Sequence, residues 1–163
     1  MKTLFTLALL VSAASAMADW DYQTGFGDTR KTYTSQGSYV RTTVIVANNG
    51  PQAGPRYSVK LSVTRLDGTP VCNTGYAILP ELDKYKHSEP LQFEVFFAGD
   101  TPKPTLTLKK QTHQKFYLSA DVSPYGADPS GDHNISNNLS SKTIEVVGPG
   151  NGKATCKKLM GDN

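Results

Sequence analysis

The chain has few of the residues that most often carry chemistry. It contains two cysteines, three histidines and one tryptophan in 163 residues. The histidines, His87, His113 and His133, lie in unrelated segments without the paired spacing of a zinc site. The serines lack a Gly-x-Ser-x-Gly elbow, and no glycine-rich phosphate loop joins a strand to a helix. We therefore expect a protein that is not an enzyme.

Net charge and long apolar runs are also scarce. The formal net charge is +3, and it falls by one when the leader that contains Lys2 is removed. So small a charge predicts neither nucleic acid nor an anionic membrane as a partner. The run of apolar residues over 4–11 is well short of the roughly 20 residues that span a bilayer. We expect no membrane span.

That apolar run has the features of a secretion signal. Lys2 gives it a basic start, and small residues at Ala14, Ala16 and Ala18 follow it in the spacing of signal-peptidase sites. We predict a signal peptide over residues 1–18. The mature protein is then expected to be secreted or periplasmic.

The expected export of the protein affects the chemical state predicted for its two cysteines. Oxidising conditions outside the cytoplasm favour a disulfide between Cys72 and Cys156 over free thiols. Such a bond holds the Gly/Lys-rich C-terminal tail, residues 148–163, to the rest of the chain. Two buried thiols or an intermolecular bond are the alternatives, because pairing depends on Cβ positions that the sequence does not reveal.

Alternation of apolar and polar residues dominates the remaining sequence. It is clearest over residues 40–46, 57–64, 91–97 and 116–122, and Gly, Pro, Asn and Asp punctuate the gaps. A helical period is essentially absent. This pattern predicts an all-β fold over residues 19–147, an antiparallel β-sandwich of about seven to eight strands, with a small closed barrel as the alternative.

The first of these strands is expected to be irregular. Trp20, Tyr22, Phe26 and Tyr33 lie among Gly, Asp and Thr without sustained alternation. We interpret these aromatic residues as a cover over the open end of the sandwich core, in preference to a platform for stacking a ligand.

Two stretches resemble the CARDB domain, a bacterial cell-adhesion-related domain with an immunoglobulin-like sandwich. They are residues 42–63, TTVIVANNGPQAGPRYSVKLSV, and residues 115–146. The matching motifs are Asn48-Asn49-Gly50 after a strand, Gly54-Pro55 before the next strand, and the Asn137-Asn138 pair that closes an acidic loop. The resemblance implies an immunoglobulin-like fold and a role in binding or assembly.

The sequence also departs from that family. Ser123-Pro124 stands where the family often has Asp-Pro, and Asp132-His133-Asn134 stands where it has a Glu before the Asn pair. The family is not known for catalysis, and its members are mostly modules of larger surface proteins. The resemblance leaves the partner open, and we expect a protein or a surface glycan of the cell envelope.

The acidic loop itself offers a second hypothesis. Asp128, Asp132 and Asn134 place two carboxylates and an amide within seven residues, and hard oxygen ligands of this kind suit calcium. The loop lacks the bidentate Glu and the ligand rhythm of an EF-hand, and such clusters also form plain turns. Asn137 and Asn138 are expected to organise the turn into the last strand through side-chain bonds to backbone groups.

Two functions from different classes follow. The first is an exported, non-enzymatic sandwich module that mediates protein or surface-glycan interaction, as an adhesion or envelope-assembly accessory. The alternative is a small periplasmic protein that binds a ligand or calcium through residues 128–134.

Overall fold

The computed structural model describes residues 20–34, 36–99, 113–147 and 153–159. The predicted signal peptide lies outside these residues. No helix in the described part of the chain is long and apolar enough to cross a membrane. The described elements are β1 (Tyr22–Thr34), β2 (Gly37–Asn48), β3 (Tyr57–Arg65), β4 (Pro70–Asn73), β5 (Ala77–Leu79), β6 (Lys86–His87), β7 (Leu91–Ala98), β8 (His113–Pro124), β9 (Leu139–Val147), β10 (Ala154–Lys158) and two 3₁₀ turns, Pro129–Gly131 and Ile135–Asn137.

The strands form two five-stranded antiparallel sheets. Sheet I has the order β1-β2-β7-β10, with β6 paired to β2, and sheet II has the order β4-β3-β8-β9, with β5 paired to β3. The predicted all-β antiparallel sandwich is confirmed. The ten described strands exceed the seven to eight predicted, because β5 and β6, with three and two residues, are too short for alternation to identify.

The core lies between the sheets and follows the alternation of the sequence. The rings of Phe97 in sheet I and Phe116 in sheet II meet with centroids 4.7 Å apart. Each fully buried side chain of this size stabilises the fold by about 1.5–3 kcal/mol relative to its exposed form. Further buried residues include Tyr22, Val40, Val44, Val46, Tyr57, Val59, Leu61, Val63, Phe93, Val95, Leu118, Val122 and Val146.

A disulfide closes one edge of the sandwich. Cys72 of β4 and Cys156 of β10 are joined, with their Cα atoms 5.7 Å apart, so the bond links sheet II to sheet I. The disulfide predicted from the two cysteines is present. Both side chains are partly buried and pack against the core.

The end of the domain differs from the prediction. The sequence places it near Val147, with a tail beyond, but β10 pairs with β7 from Ala154 opposite Phe97 to Lys158 opposite Phe93. Residues 153–159 therefore belong to the sandwich. The strand was missed because it is five residues long and lies among Gly and Lys residues that do not favour strands.

Polar side chains close the opposite edge, where β1 of sheet I meets β9 of sheet II. The inward-facing Lys142 donates to the hydroxyls of Thr29 and Thr42 and lies 4.3 Å from the ring centroid of Phe26. Ser140 donates to the Thr24 carbonyl at 2.5 Å. Burial lowers the pKa of Lys142. An inward-pointing lysine also discourages this edge strand from pairing with another chain.

The first strand is more regular than its sequence predicts. β1 is 13 residues long and pairs with β2 at eleven of them, with a register shift between Phe26 and Thr29. Pairing with β2, which local residue preferences do not reveal, holds these residues in a strand. As predicted, Tyr22 is buried, and Trp20 and Phe26 pack against the core. Tyr33 differs, because it is 40% exposed.

Candidate functional site

The acidic loop between β8 and β9 is an ordered set of turns. Asp128 begins the first 3₁₀ turn, and its Oδ1 accepts the Ser130 backbone N–H at 2.9 Å. That hydrogen bond holds the pKa of the Asp128 carboxyl below its usual range. Asn134 Oδ1 accepts the Ser136 hydroxyl at 2.5 Å. These two predicted calcium ligands are exposed, and their oxygen atoms bond within their own turns.

The third predicted ligand, Asp132, has a different environment. It is only 7% exposed. Its Oδ1 accepts the Asn134 backbone N–H at 3.1 Å, and its Oδ2 accepts the Asn138 side-chain amide at 3.0 Å. No group of three or more His, Cys, Asp or Glu side chains suited to a metal lies within the described ranges. The structure thus joins Asp132 to the asparagine pair instead of to Asp128.

The side chains of Asn137 and Asn138 have different partners from those predicted. Asn137 Nδ2 donates to Asp21 Oδ1 at 2.9 Å, and Asn138 Nδ2 donates to Asp132 Oδ2. The prediction that these side chains bond to backbone groups is therefore wrong. Asp21 reaches Asn137 because the segment before β1 runs beside the loop. This contact joins residues more than 100 positions apart, and sequence alone does not reveal it.

Trp20 fixes the loop against the body of the protein. Its backbone N–H donates to the Gly131 carbonyl at 3.3 Å, and its carbonyl accepts the His133 N–H at 2.7 Å. A Cβ atom at Gly131 would lie 2.2 Å from the indole, so only glycine fits there. The predicted cover over the end of the core is thus also a clamp on this loop.

Asn48 supports the same end of the sandwich by bonding to backbone groups, a role that the sequence did not predict. It is fully buried, and its Oδ1 accepts the backbone N–H groups of Asp21 and Gly50 at 3.1 and 3.0 Å. Its Nδ2 donates to the carbonyls of Gln52 and Leu82 at 2.8 and 3.0 Å. The available signal was its inward position on β2, two residues after the buried Val46.

The outer face of sheet II carries cross-strand rows of hydroxyl side chains. Ser62 of β3, Ser119 of β8 and Ser141 of β9 are partners in register, and Thr64, Tyr117 and Thr143 form the adjacent row. Their alternation with buried residues directs them away from the core. We call this surface the hydroxyl face; it consists of Ser62, Thr64, Tyr117, Ser119, Ser141 and Thr143.

Exposed apolar side chains border the hydroxyl face. Tyr117 within it is 41% exposed, and Tyr76, Ile78 and Leu139 around it are 64%, 43% and 57% exposed. Ile78 lies opposite Ser58 on β3, and Leu139 lies opposite Asp121 on β8. Large apolar side chains that cluster on one sheet surface are typical of interaction sites, whereas single ones are normal.

One pair of opposite charges lies beside the hydroxyl face. Lys60 is the cross-strand partner of Asp121, and its Nζ lies 5.2 Å from the ring centroid of Tyr76. Burial raises the pKa of the Asp121 carboxyl, and the charge of Lys60 only partly opposes this effect. The carboxylate is thus partly desolvated before any partner arrives.

The outer face of sheet I has a different character. Arg30, Arg41, Glu94 and Lys157 form one cross-strand row, which we call the charged face. Glu94 accepts Arg41 Nε at 2.7 Å and Lys157 Nζ at 2.9 Å. Burial raises the pKa of Glu94, but these bonds outweigh it, so the pKa lies below its usual range. A shallow groove of about 340 Å³ between β1 and β7 adjoins this row.

Comparison with known proteins identifies no family for the chain. No protein-family model matches the chain, and no curated protein matches it. Among solved structures, a β-glucosidase from Kluyveromyces marxianus is 15% identical with a TM-score of 0.45, over 85% of this chain and 15% of that one. β-Glucosidase 3B from Thermotoga neapolitana is 11% identical with a TM-score of 0.43, over 86% and 17%.

A third similar structure is a β-glucosidase from Erythrobacter marinus, 20% identical with a TM-score of 0.40, over 76% of this chain and 15% of that one. The chain therefore spans only 15 to 17% of the length of these enzymes. At such identities and TM-scores, the similarity carries no argument about activity.

Proposed function

We propose that the mature chain is an exported, non-enzymatic β-sandwich module that binds a protein or a surface glycan of the cell envelope through the hydroxyl face. The observation that carries this proposal is the position of Tyr76, Ile78, Tyr117 and Leu139. These exposed apolar side chains surround small hydroxyl residues on one sheet surface. An adhesion or envelope-assembly accessory is the role that best fits such a module.

The chemistry of the face suits reversible recognition. Tyrosine supplies a large, rigid contact area at low conformational-entropy cost, and serine supplies adaptable hydrogen bonds. Ser62, Ser119 and Ser141 are short, so a partner can approach the backbone of three adjacent strands closely. Tyr76 and Tyr117 offer ring faces on which another ring or an apolar side chain can pack.

Two further observations support the exported location and the class of protein. The disulfide between Cys72 and Cys156 is typical of proteins outside the reducing cytoplasm. The sandwich fold is the one that the resemblance to the CARDB domain implies. The calcium alternative on residues 128–134 has less support, because Asp128 and Asn134 use their oxygen atoms within their own turns.

The test compares two charge insertions on opposite faces. Ser119→Arg places a long cation at the centre of the hydroxyl face, and Gln92→Arg places the same group on the exposed outer surface of sheet I. Each variant is assayed on a glycan array and by affinity capture from the envelope of the native host. We expect Ser119→Arg to reduce binding at least tenfold and Gln92→Arg to leave it unchanged.

Melting temperatures distinguish a loss of binding from a loss of folding. Both positions are on outer sheet surfaces, so both variants should melt within a few degrees of the parent protein. Equal binding by the two variants would overturn the proposal. Hydrolysis of a glycoside or another common substrate by the purified protein, lost on mutation of a described residue, would overturn its non-enzymatic part.

A further inference from the structure

We propose that Asp21, Asp132, Asn137 and Asn138 form a binding site for one Ca²⁺ ion at the end of the sandwich. This inference goes beyond the proposed binding function and does not depend on it. It also differs from the calcium hypothesis based on residues 128–134, with which it shares only Asp132.

The four side chains form two hydrogen-bonded pairs that meet at the neighbouring residues Asn137 and Asn138. Asn137 Nδ2 lies 2.9 Å from Asp21 Oδ1, and Asn138 Nδ2 lies 3.0 Å from Asp132 Oδ2. Trp20, the residue before Asp21, is hydrogen-bonded to the residues on both sides of Asp132. The chain thus places one carboxylate beside each of two consecutive asparagines, although Asp21 is more than 100 residues from the loop.

Unpaired oxygen atoms point to a ligand within this cluster. The side-chain Oδ1 atoms of Asn137 and Asn138 are buried and have no hydrogen-bond partner. Asn138 is only 8% exposed, and its amide lies against the Asp132 carboxylate. Buried amide oxygens without a partner are rare in folded proteins, and a bound ion is one of the recognised explanations.

The charge of the cluster supports a cation. Within the described residues no Lys or Arg forms an ion pair with Asp21 or Asp132, although Asp132 is buried. Buried carboxylates are usually paired or bound to a metal, and a cation would supply the missing charge.

The ligand types select the ion. Two carboxylates and two amide carbonyls are hard oxygen donors, and Ca²⁺ accepts such donors in irregular arrangements of six to eight, with water completing the set. Mg²⁺ demands a stricter octahedron and binds amide-rich protein sites less readily. A buried water would satisfy the asparagine oxygens but would leave the two negative charges uncompensated.

Terbium luminescence tests the site directly, because the chain has one tryptophan and it adjoins the cluster. Tb³⁺ replaces Ca²⁺ at oxygen sites and emits when a nearby indole transfers energy to it. For the mature protein we expect saturable emission on excitation of Trp20, reversed by excess Ca²⁺. Asp21→Asn and Asp132→Asn should each weaken Tb³⁺ binding at least tenfold, since each removes one charge but retains an acceptor.

Asp128→Asn is the matched control, because it removes an exposed carboxylate from the same loop and should leave the emission unchanged. If Asp132→Asn fails to fold, Asp21→Asn alone decides the question. Ca²⁺ should also raise the melting temperature of the parent protein and of Asp128→Asn but not of Asp21→Asn. Absence of saturable emission, equal emission from Asp21→Asn, or loss of emission in Asp128→Asn would overturn the proposal.

Discussion

The two outer faces of the sandwich are built from similar strands but use their side chains in opposite ways. On the charged face, Arg41 and Lys157 bond to Glu94, which is only 3% exposed although it lies on an outer surface. On the hydroxyl face, short side chains leave Tyr117 exposed and Asp121 partly desolvated. One surface satisfies its polar groups internally, while the other leaves them available to a partner.

The comparison shows that the face with more charge is not the face with more accessible side chains. The charged face contains the stronger ionic groups, but its central carboxylate already has two cationic partners. The hydroxyl face has lower charge, and the exposed side chains of Tyr76, Ile78, Tyr117 and Leu139 lie in or beside it, a combination that suits recognition by tyrosine and serine.

Removal of the disulfide should have the largest effect on stability. The bond closes a chain segment of 84 residues, for which chain-entropy arguments give a contribution of about 4–5 kcal/mol. It also holds β10, and with it Lys157, beside Glu94. We expect Cys72→Ser combined with Cys156→Ser to lower the free energy of unfolding by about that amount, measured by urea denaturation.

The double serine variant also tests the link between the two faces. Loss of the disulfide should expose Glu94 by releasing Lys157, so the charged face should change more than the hydroxyl face. Hydrogen exchange should increase first in β10 and β7. Equal increases in β8 and β9 would contradict this order.

Glu94→Gln should have a smaller effect on stability. The change leaves a hydrogen-bond acceptor but removes the charge that pairs with Arg41 and Lys157, so we expect a loss of about 1–2 kcal/mol at pH 7. Because the folded pKa of Glu94 lies below its ordinary value of 4.5, its contribution is present above that pH and is lost as the pH falls further. The variant should lose less stability on acidification than the parent.

Glu145→Gln is the control for that measurement. Glu145 lies 3.4 Å from His113 and is 48% exposed, so its removal should change the free energy of unfolding by less than about 0.5 kcal/mol. A larger effect from Glu145→Gln than from Glu94→Gln would contradict the account of the charged face.

Asp121→Asn should have the smallest effect and the opposite sign. Burial raises the folded pKa of Asp121 above its ordinary value of 3.8, so the native protein binds a proton more readily than the unfolded chain. The ionised carboxylate therefore destabilises the fold at neutral pH, and this penalty decreases as the pH falls through the folded pKa. We expect a slight rise in melting temperature at pH 7 that is absent at pH 3.

The core of this fold follows from sequence patterns, but the two faces do not. Alternation around Val59, Leu61 and Val63 is enough to predict a buried strand face. The row of Ser62, Ser119 and Ser141 exists only because strand register aligns three distant segments. A serine on a half-buried strand has no local feature that distinguishes a binding surface from a solvated one.

The acidic loop shows the same limit in another form. Asp128, Asp132 and Asn134 are close in sequence, and that closeness suggested one ligand set. The backbone instead forms local turns with Asp128 and Asn134, and the distant Asp21 joins Asp132 through the asparagine pair. Nearness along the chain therefore did not predict which side chains meet. The contact between Trp20 and Gly131, which brings the segment before β1 beside the loop, determines it.

The most direct test of the central claim is photo-cross-linking in cells of the native host. A photoreactive amino acid is placed at Ser119 on the hydroxyl face and, in a second strain, at Gln92 on the outer surface of sheet I. We predict a discrete adduct with one envelope component from position 119 and none from position 92. Adducts from position 92 alone, or equal adducts from both positions, would contradict the assignment of binding to the hydroxyl face.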